Sequence, residues 1–192
     1  GLGDVYKRQS LGKIKGLYVQ GENPAMSDPD QIHSRKALAK LEHLVVQDIF
    51  MTETAWNADV ILPASAHAEK TGTYTNTNRQ VQLGRAVVDP PMEVRQDWWI
   101  IQEIAKRMGL GWSYKSPKDI FDEMKLVMPS LDNISWDRLE KDNHVTYPAK
   151  SATMPGEDII FTNGFPTSNN LAKIIPVNLI AVSYTHLRAH ET

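Results

Sequence analysis

The feature that most constrains the fold is a set of three short runs of β-branched and aliphatic residues, each ending in a polar loop. The runs are IKGLYVQ at 14–20, LVVQD at 44–48 and ADVILP at 58–63. Runs of this length and composition are typical of buried strands. Between the first two, Asp28 and Pro29 predict a helix start, and Ile32, Leu38 and Leu41 continue it at roughly helical spacing. This order predicts an α/β fold with a doubly wound parallel sheet, in which ligands lie outside the carboxyl ends of the strands.

The segments after the third run predict a hairpin followed by trailing helices. Thr71–Arg85 is polar, rich in Thr and alternating, which favours an extended loop or hairpin over a site. Gln96–Met108 has helical apolar spacing, with Gly109 placed to end it, and its Trp98-Trp99 pair is expected in the core. Two further helices should begin at Ser116, with Pro129 beyond its end, and at Ser135, ending near Lys141.

Domain boundaries follow from composition. We expect residues 10–145 to form part of a dinucleotide-binding α/β domain and residues 146–180, rich in Pro, Gly and Asn, to form a linker toward a further C-terminal domain. Ile159–Phe161 is one strand-like run within that linker.

The two ends have a separate explanation. GLGDVYKRQ at 1–9 and VSYTHLRA at 182–189 can be encoded by opposite strands of one oligonucleotide that resembles a transposon adapter used in sequencing libraries. Residues 1–9 and 181–192 are therefore expected to be translated adapter, and the natural segment to be an internal piece of a longer protein.

Composition excludes several classes of protein. The net charge of -2 and the lack of a dense Lys/Arg run argue against nucleic-acid binding. No apolar stretch approaches the ~20 residues of a transmembrane helix, and no signal-peptide pattern is present, so we expect a cytoplasmic protein, with a periplasmic one open because the true N-terminus is missing. The absence of cysteine excludes thiolate catalysis and iron–sulfur ligation within this chain.

Polar residues follow each predicted strand, and each has an ordinary structural role as an alternative to ligand binding. Gly21, Glu22 and Asn23 could approach a ligand, although a simple turn would normally be favoured. Gln47 and Asp48 could bind a ribose or a guanine edge, but Asp48 could equally cap the next helix.

The third loop and the later helix start offer two more candidates. Lys70 and Gly72 suit a phosphate group, while a lysine on a solvated hairpin is the commoner case. Asp97 lies at a helix start, where capping is the default role. The histidines lack metal-ligand spacing and no catalytic set of residues is recognisable, so we assign neither a metal ligand nor a catalytic residue.

Three segments taken in order resemble the molybdopterin oxidoreductase family, and within it the alpha subunits of formate dehydrogenases. They are IKGLYVQGENPAMSDPD, the stretch from LEHLVVQD to VQLGR, and DPPMEVRQDWWIIQEIAKRMG, and the resemblance runs from about Ile14 to Phe165. It implies a large enzyme with two molybdopterin guanine dinucleotides around molybdenum or tungsten, a 4Fe-4S cluster near its N-terminus, formate as substrate and separate electron-acceptor subunits.

The resemblance also implies roles for individual positions. Glu22 and Asn23 would line one dinucleotide, Gln47 and Asp48 would contact its nucleoside end, Lys70 would approach it from the third loop, and Asp97 would complete the pocket. The family's metal-ligating cysteine or selenocysteine and its cluster cysteines would all precede Ser10. This chain alone is therefore expected to hold cofactor and to be inactive.

Two alternatives remain beside a formate dehydrogenase subunit. The cofactor-binding residues do not choose the substrate, so another family member, such as a nitrate or other oxyanion reductase, fits them as well. A non-catalytic electron-transfer scaffold of the same fold is the second alternative. The scaffold is disfavoured because each of the loops has a polar residue that could bind a ligand: Asn23, Asp48, Lys70 and Asp97.

Overall fold

The computed structural model describes residues 8, 9, 11–91 and 93–176, so most of the two expected adapter segments lies outside the described residues. Two compact units divide the described chain. The first comprises the residues up to Ala66 together with 90–100, and the second comprises 67–89 and the residues from Ile101 onward.

The first unit is built on a three-stranded parallel sheet in the order β1-β2-β3. The strands are Gly16–Gln20 (β1), His43–Asp48 (β2) and Val60–Pro63 (β3), which confirms all three sequence predictions. The prediction that β3 is buried is wrong, because Val60 and Ile61 are 40% and 38% exposed. Beyond β3, the described chain adds only an isolated parallel bridge between Ala64 and Arg95, so β3 lies close to the sheet edge.

Two helices connect β1 to β2 and cover one face of the sheet. They are Pro24–Ser27 (α1) and Gln31–Leu38 (α2). Their apolar residues pack with those of the strands in one buried cluster: Val19, Ala25, Leu38, Leu44, Val46 and Ala55. The predicted cap was two residues early, since Asp30 rather than Asp28 accepts a hydrogen bond from the His33 amide, at 3.1 Å.

The opposite face of the sheet carries the start of the next helix, Asp97–Arg107 (α3). Side chains alternate across a strand, so Tyr18 and Gln20 point away from the face that carries Val19. Gln20 reaches the Asp97 carboxylate at 3.4 Å on that second face. The first turn of α3 therefore lies on the face of the parallel sheet opposite α1 and α2, the arrangement expected of a doubly wound fold.

The second unit contains an antiparallel sheet in the order β4-β5-β6. Its strands are Gly72–Thr75 (β4), Gln80–Gly84 (β5) and His144–Thr146 (β6). β4 and β5 form the hairpin predicted for 71–85, whereas β6 was not predicted. The helices Pro117–Val127 (α4) and Trp136–Asp142 (α5) begin at the predicted caps, Ser116 and Ser135.

The core of this unit lies between the sheet and those helices. It consists of nine buried residues: Val81, Leu83, Phe121, Leu131, Ile134, Trp136, Leu139, Val145 and Ala149. The chain after β6 is attached to it by two arginines. Arg79 donates to the carbonyls of Tyr147, Glu157 and Asp158, and Arg138 donates to those of Asn133, Ser151 and Met154.

Two local predictions in these segments are wrong. Ile159–Phe161 does not form a strand, because Phe161 has a φ of 61° and Ile159 is 74% exposed. Trp99 is 39% exposed rather than part of the core, and the Arg95 guanidinium lies over its ring at 5.8 Å from the centroid.

Candidate functional site

The candidate site of the first unit lies at the carboxyl ends of β1 and β2. Gly21 follows β1 with a φ of 60°, and its amide donates to the Gln47 carbonyl at 2.9 Å. A Cβ on Gly21 would have no atom within 4 Å, so the backbone conformation and not crowding favours glycine there. Glu22 is exposed beside it. The loop thus offers open space and a carboxylate to a ligand.

Asn23 joins the first loop to the second. Its Oδ1 accepts from the backbone amide of Thr54 at 3.2 Å and from its hydroxyl at 2.8 Å, and its Nδ2 donates to Glu53 at 2.7 Å. The hydrogen bond from Asn23 lowers the pKa of the Glu53 carboxyl, with a smaller contribution from its own backbone. Sequence reasoning missed Glu53, because only the fold brings these loops together.

A second group of polar side chains lies between β1, β2 and α3. Gln47 is completely buried; its Oε1 accepts from the Tyr18 hydroxyl and its Nε2 donates to Asp97 Oδ1 at 2.7 Å. Gln20 Nε2 approaches the same carboxylate oxygen at 3.4 Å. Burial raises the pKa of the Tyr18 phenol, and the negative charge of Asp97 raises it further. The sequence offered no reason to select Tyr18.

Asp48 has a local role. Its half-buried Oδ1 accepts from the Ile49 amide at 2.7 Å and from the Phe50 amide at 3.4 Å, which holds the start of the loop after β2. Asp48 therefore caps this loop. The sequence left a ligand contact and a helix cap open for Asp48, and the helix cap is wrong.

The remaining sequence-predicted site residues belong to the second unit. Lys70 is half-buried directly after a 3-10 turn, His67–Glu69. Gly72 begins β4 and pairs with Gly84. The structure thus gathers Gly21, Glu22, Asn23, Gln47, Asp48 and Asp97 in one unit and places Lys70 and Gly72 in the other.

The described residues show neither a metal site nor a membrane-spanning helix. They contain no group of three or more His, Cys, Asp or Glu side chains arranged to hold a metal ion. None of the helices described for this chain is both long and apolar enough to cross a bilayer.

A comparison with protein families identifies this arrangement. The family model of the molybdopterin oxidoreductases matches residues 3–107, a range that contains β1 to β5 and the whole of α3. The chain belongs to the molybdopterin oxidoreductase family. The curated relatives agree with this assignment.

The curated relatives of this molybdopterin oxidoreductase chain include formate dehydrogenases. The "F420-dependent formate dehydrogenase subunit alpha" of Methanocaldococcus jannaschii is 48% identical over 171 residues, which are 88% of this chain and 25% of that protein. A second one, from Methanococcus maripaludis, is 43% identical over 86% of the chain and 25% of the relative. The "Probable oxidoreductase YjgC" of Bacillus subtilis is 40% identical over 91% of the chain and 18% of its own length. The chain therefore spans about a quarter or less of these relatives.

A solved structure supports the same fold. Acetylene hydratase from Pelobacter acetylenicus matches with a TM-score of 0.61 and 24% identity, over 74% of this chain and 20% of that protein. At this identity the likeness concerns the fold alone.

Membership in the family implies a molybdopterin cofactor, and the residues at the carboxyl edge of the parallel sheet fit such a group. The carboxylate oxygens of Asp97 can accept hydrogen bonds from N–H and O–H groups. The loop at Gly21 leaves room for a ligand next to the backbone. Parallel α/β sheets bind nucleotides at this position.

Proposed function

We propose that this chain is the cofactor-holding segment of a formate dehydrogenase catalytic subunit, and that the cofactor is molybdopterin guanine dinucleotide. The observation that carries the proposal is the Asp97 carboxylate, held by Gln47 and Gln20 at the carboxyl edge of β1 and β2. A carboxylate in that place matches the N1–H and amino donors of guanine. The 48% identity to a formate dehydrogenase alpha subunit favours formate as the substrate.

Individual roles follow from the contacts. Glu22, exposed beside Gly21, meets the cofactor directly, while Asn23 sets the position of that loop through Glu53 and Thr54. Asp48 shapes the loop after β2 through its bonds to the Ile49 and Phe50 amides. Lys70, next to Gly72, offers a cation for a phosphate group of the dinucleotide.

When bound, the cofactor with molybdenum or tungsten would supply the two-electron oxidation of formate to CO2. This chain's residues bind and orient the nucleotide end, and none of them is assigned to the reaction itself. The proposal places the 4Fe-4S cluster, the metal-ligating residue and the electron-acceptor subunits outside this chain. Residues 10–145 form the cofactor-binding part, residues 146–180 lead to a further domain, and the enzyme is cytoplasmic.

A chimeric enzyme tests the proposal. The matching 171 residues of the M. jannaschii alpha subunit are replaced by those of this chain, and the purified chimera is assayed for molybdenum or tungsten, for GMP released by acid hydrolysis, and for formate oxidation. We expect all three to be retained. Asp97→Ala, Asp48→Ala and Lys70→Ala should each lower the GMP content. Each variant lacks a charged or acceptor group that would contact the ligand or hold the loop beside it.

The matched control is Asp132→Ala, which removes an exposed carboxylate from the second unit and should leave the GMP content unchanged. A folded chimera without GMP would overturn the guanine dinucleotide. A chimera that holds GMP and metal but does not oxidise formate would argue against a formate dehydrogenase subunit and favour another member of the family. Full GMP content in all three variants would overturn their assigned roles.

A further inference from the structure

The chain after β6 folds back on itself as a closed loop at 147–158. The Glu157 amide donates to the Pro148 carbonyl at 2.9 Å, and Ala149 and Gly156 form an antiparallel bridge. The two ends of the loop therefore lie side by side, as in the compact surface loops known as Ω-loops. Apart from that bridge, the loop has neither helix nor strand, so its carbonyls need hydrogen-bond donors from elsewhere.

Arg79 joins the two ends of loop 147–158. It lies in the turn between β4 and β5, and its guanidinium donates to the carbonyl of Tyr147 at the start and to those of Glu157 and Asp158 at the end, at 2.9 and 2.8 Å. The Arg79 carbonyl accepts from the Tyr147 amide at 3.0 Å. Arg79 has a φ of 67°, which is costly for a residue with a side chain, so these contacts offset backbone strain.

Arg138 holds the middle of the loop. Its side chain is 10% exposed on α5 and donates to the carbonyls of Ser151 at 3.1 Å and Met154 at 2.6 Å. Asn133 Nδ2 adds a hydrogen bond to the Ala149 carbonyl at 2.7 Å. A guanidinium suits this role because it has five N–H donors in one plane and can bond several carbonyls at once.

We infer that loop 147–158 is a fixed part of the second unit, held by Arg79 and Arg138, and that the connection to a further domain begins only after Asp158. Composition suggested a connection from residue 146, but Pro, Gly and Asn content carries no information about guanidinium contacts. The inference rests on the proposed function only for the existence of the further domain, because the closed loop does not depend on the cofactor.

The closed loop also fixes the place where the chain leaves this unit. A Cβ on Gly156 would lie 1.6 Å from the carbonyl oxygen of Thr146, so the end of the loop lies directly against the end of β6. Ala149 in the loop is 7% exposed, whereas Ile159 and Ile174 beyond it are 74% and 89% exposed. Close packing on the second unit therefore ends with the loop.

Hydrogen exchange of the 192-residue chain, measured by mass spectrometry, tests the inference. We expect the amides of 147–158 to exchange more slowly than those of 166–176. Arg79→Asn removes the guanidinium but suits the left-handed backbone, and Arg138→Met removes the donors but keeps an apolar side chain. Each should speed exchange in the loop about tenfold, the effect of about one lost hydrogen bond, while exchange in β5 is unchanged.

The matched control is Arg85→Asn. Arg85 is an exposed arginine that follows β5, and it donates to Asn143 Oδ1 and to the Glu140 carbonyl instead of to the loop. Its replacement should leave exchange in loop 147–158 unchanged.

Trypsin gives a second readout that needs no variant. The side chain of Lys150 is 74% exposed, and Lys173 is also exposed, so accessibility of the side chain alone would let trypsin cut after both. A fixed backbone resists the protease, so we expect cleavage after Lys173 and resistance after Lys150. Arg79→Asn and Arg138→Met should both make the chain susceptible after Lys150.

Two results would overturn the fixed loop: exchange in 147–158 as fast as in 166–176, or cleavage after Lys150 as fast as after Lys173 in the unmodified chain. Unchanged exchange in both arginine variants would overturn the roles of Arg79 and Arg138. If Arg79→Asn fails to fold, Arg138→Met still tests the contacts, and an equal rise of exchange in the loop and β5 would contradict a separately held loop. The GMP content of the chimera tests the proposed cofactor independently.

Discussion

Asn23 and Thr54, 31 positions apart in the sequence, are joined by two hydrogen bonds to one oxygen: Asn23 Oδ1 accepts from the Thr54 amide and from its hydroxyl. The Thr54 hydroxyl oxygen in turn accepts from the Ala25 amide at 3.0 Å. Thr54 is fully buried, so water cannot replace Asn23. These contacts tie the loop after β1 to the loop after β2 and hold the carboxyl edge of the sheet in one shape.

Asn23→Ala is expected to lower the free energy of unfolding by about 1–3 kcal/mol, because it leaves a buried amide of Thr54 without its acceptor. Urea denaturation followed by circular dichroism measures the change. Asn57→Ala is the control, since exposed Asn57 donates a single bond to the Glu53 carbonyl and should cost less than about 0.5 kcal/mol. Equal losses in the two variants would contradict the tie between the loops.

The same asparagine controls the ionisation of Glu53. Its Nδ2 donates to the Glu53 carboxylate and is the main cause of the lowered pKa of Glu53. A lowered pKa means that the contact stabilises the fold above the usual value of 4.5 and that this contribution is lost as the pH falls through the lowered pKa. Asn23→Ala should raise the pKa of Glu53 toward 4.5.

A carbon-13 NMR titration of the glutamate carboxyl groups measures this shift. The Glu53 resonance can be assigned by its loss in Glu53→Gln. If the Glu53 resonance titrated at the same pH in Asn23→Ala and in the unmodified chain, Asn23 would not be the cause.

The strands of the first unit could be predicted because their aliphatic residues lie in short, nearly unbroken runs, although β3 is not buried. Leu44 and Val46 are both buried, and β1 and β2 carry the aliphatic runs that the sequence shows. The helix cap was harder, since Asp28 before Pro29 and Asp30 satisfy the same capping rule. Only the backbone decides that Asp30 caps α2, while the Asp28 carboxylate accepts from the Asp30 amide at 3.0 Å.

The sequence places the candidate residues at the ends of strands, where the structure also has most of them, but it does not give the contacts between them. Asp97 and Gln47 are 50 residues apart, and neither helical nor strand periodicity carries information about that contact. The sequence therefore suggested a ligand contact for Gln47, whereas its burial leaves it a supporting role. β6 was missed for a similar reason, because a strand of three residues with one buried side chain, Val145, has no recognisable pattern.

The charge of Asp97 should be measurable at Tyr18. Burial is the main cause of the raised pKa of the Tyr18 phenol, and the negative charge of Asp97 is the second. Asp97→Asn removes only the second cause, so the pKa of Tyr18 should fall and remain above 10.0. Carbon-13 labelling of tyrosine at Cζ, with assignment by Tyr18→Phe, gives the titration curve. A pKa that does not change in Asp97→Asn would contradict a contribution of the Asp97 charge to the pKa of Tyr18.

The raised pKa of Tyr18 also has a consequence for stability. The folded chain favours the neutral phenol, so this contribution to the free energy of unfolding is fully present below pH 10.0. It is lost as the pH rises through the raised pKa. Tyr18→Phe should therefore remove part of the alkaline decline in stability seen by urea denaturation.

Two glycines of the second unit should respond differently to the same substitution. A Cβ on Gly84 would lie 2.4 Å from the ring of Tyr74, whereas a Cβ on Gly156 would lie 1.6 Å from the carbonyl oxygen of Thr146. A side-chain ring can move aside, but a backbone carbonyl in a strand cannot. We expect Gly84→Ala to cost about 1–3 kcal/mol and Gly156→Ala to cost more.

Second substitutions distinguish the two causes. Tyr74→Ala should relieve the clash, so the double variant with Gly84→Ala should lose less stability than the sum of the single variants. Thr146→Ala should not relieve Gly156→Ala, because the obstructing atom belongs to the backbone. Gly111→Ala is the control, since a Cβ there would have no atom within 4 Å and should leave stability nearly unchanged. If the losses of stability in Tyr74→Ala and Gly84→Ala were additive in the double variant, the explanation would be contradicted, because the Tyr74 ring would not be what the added Cβ clashes with.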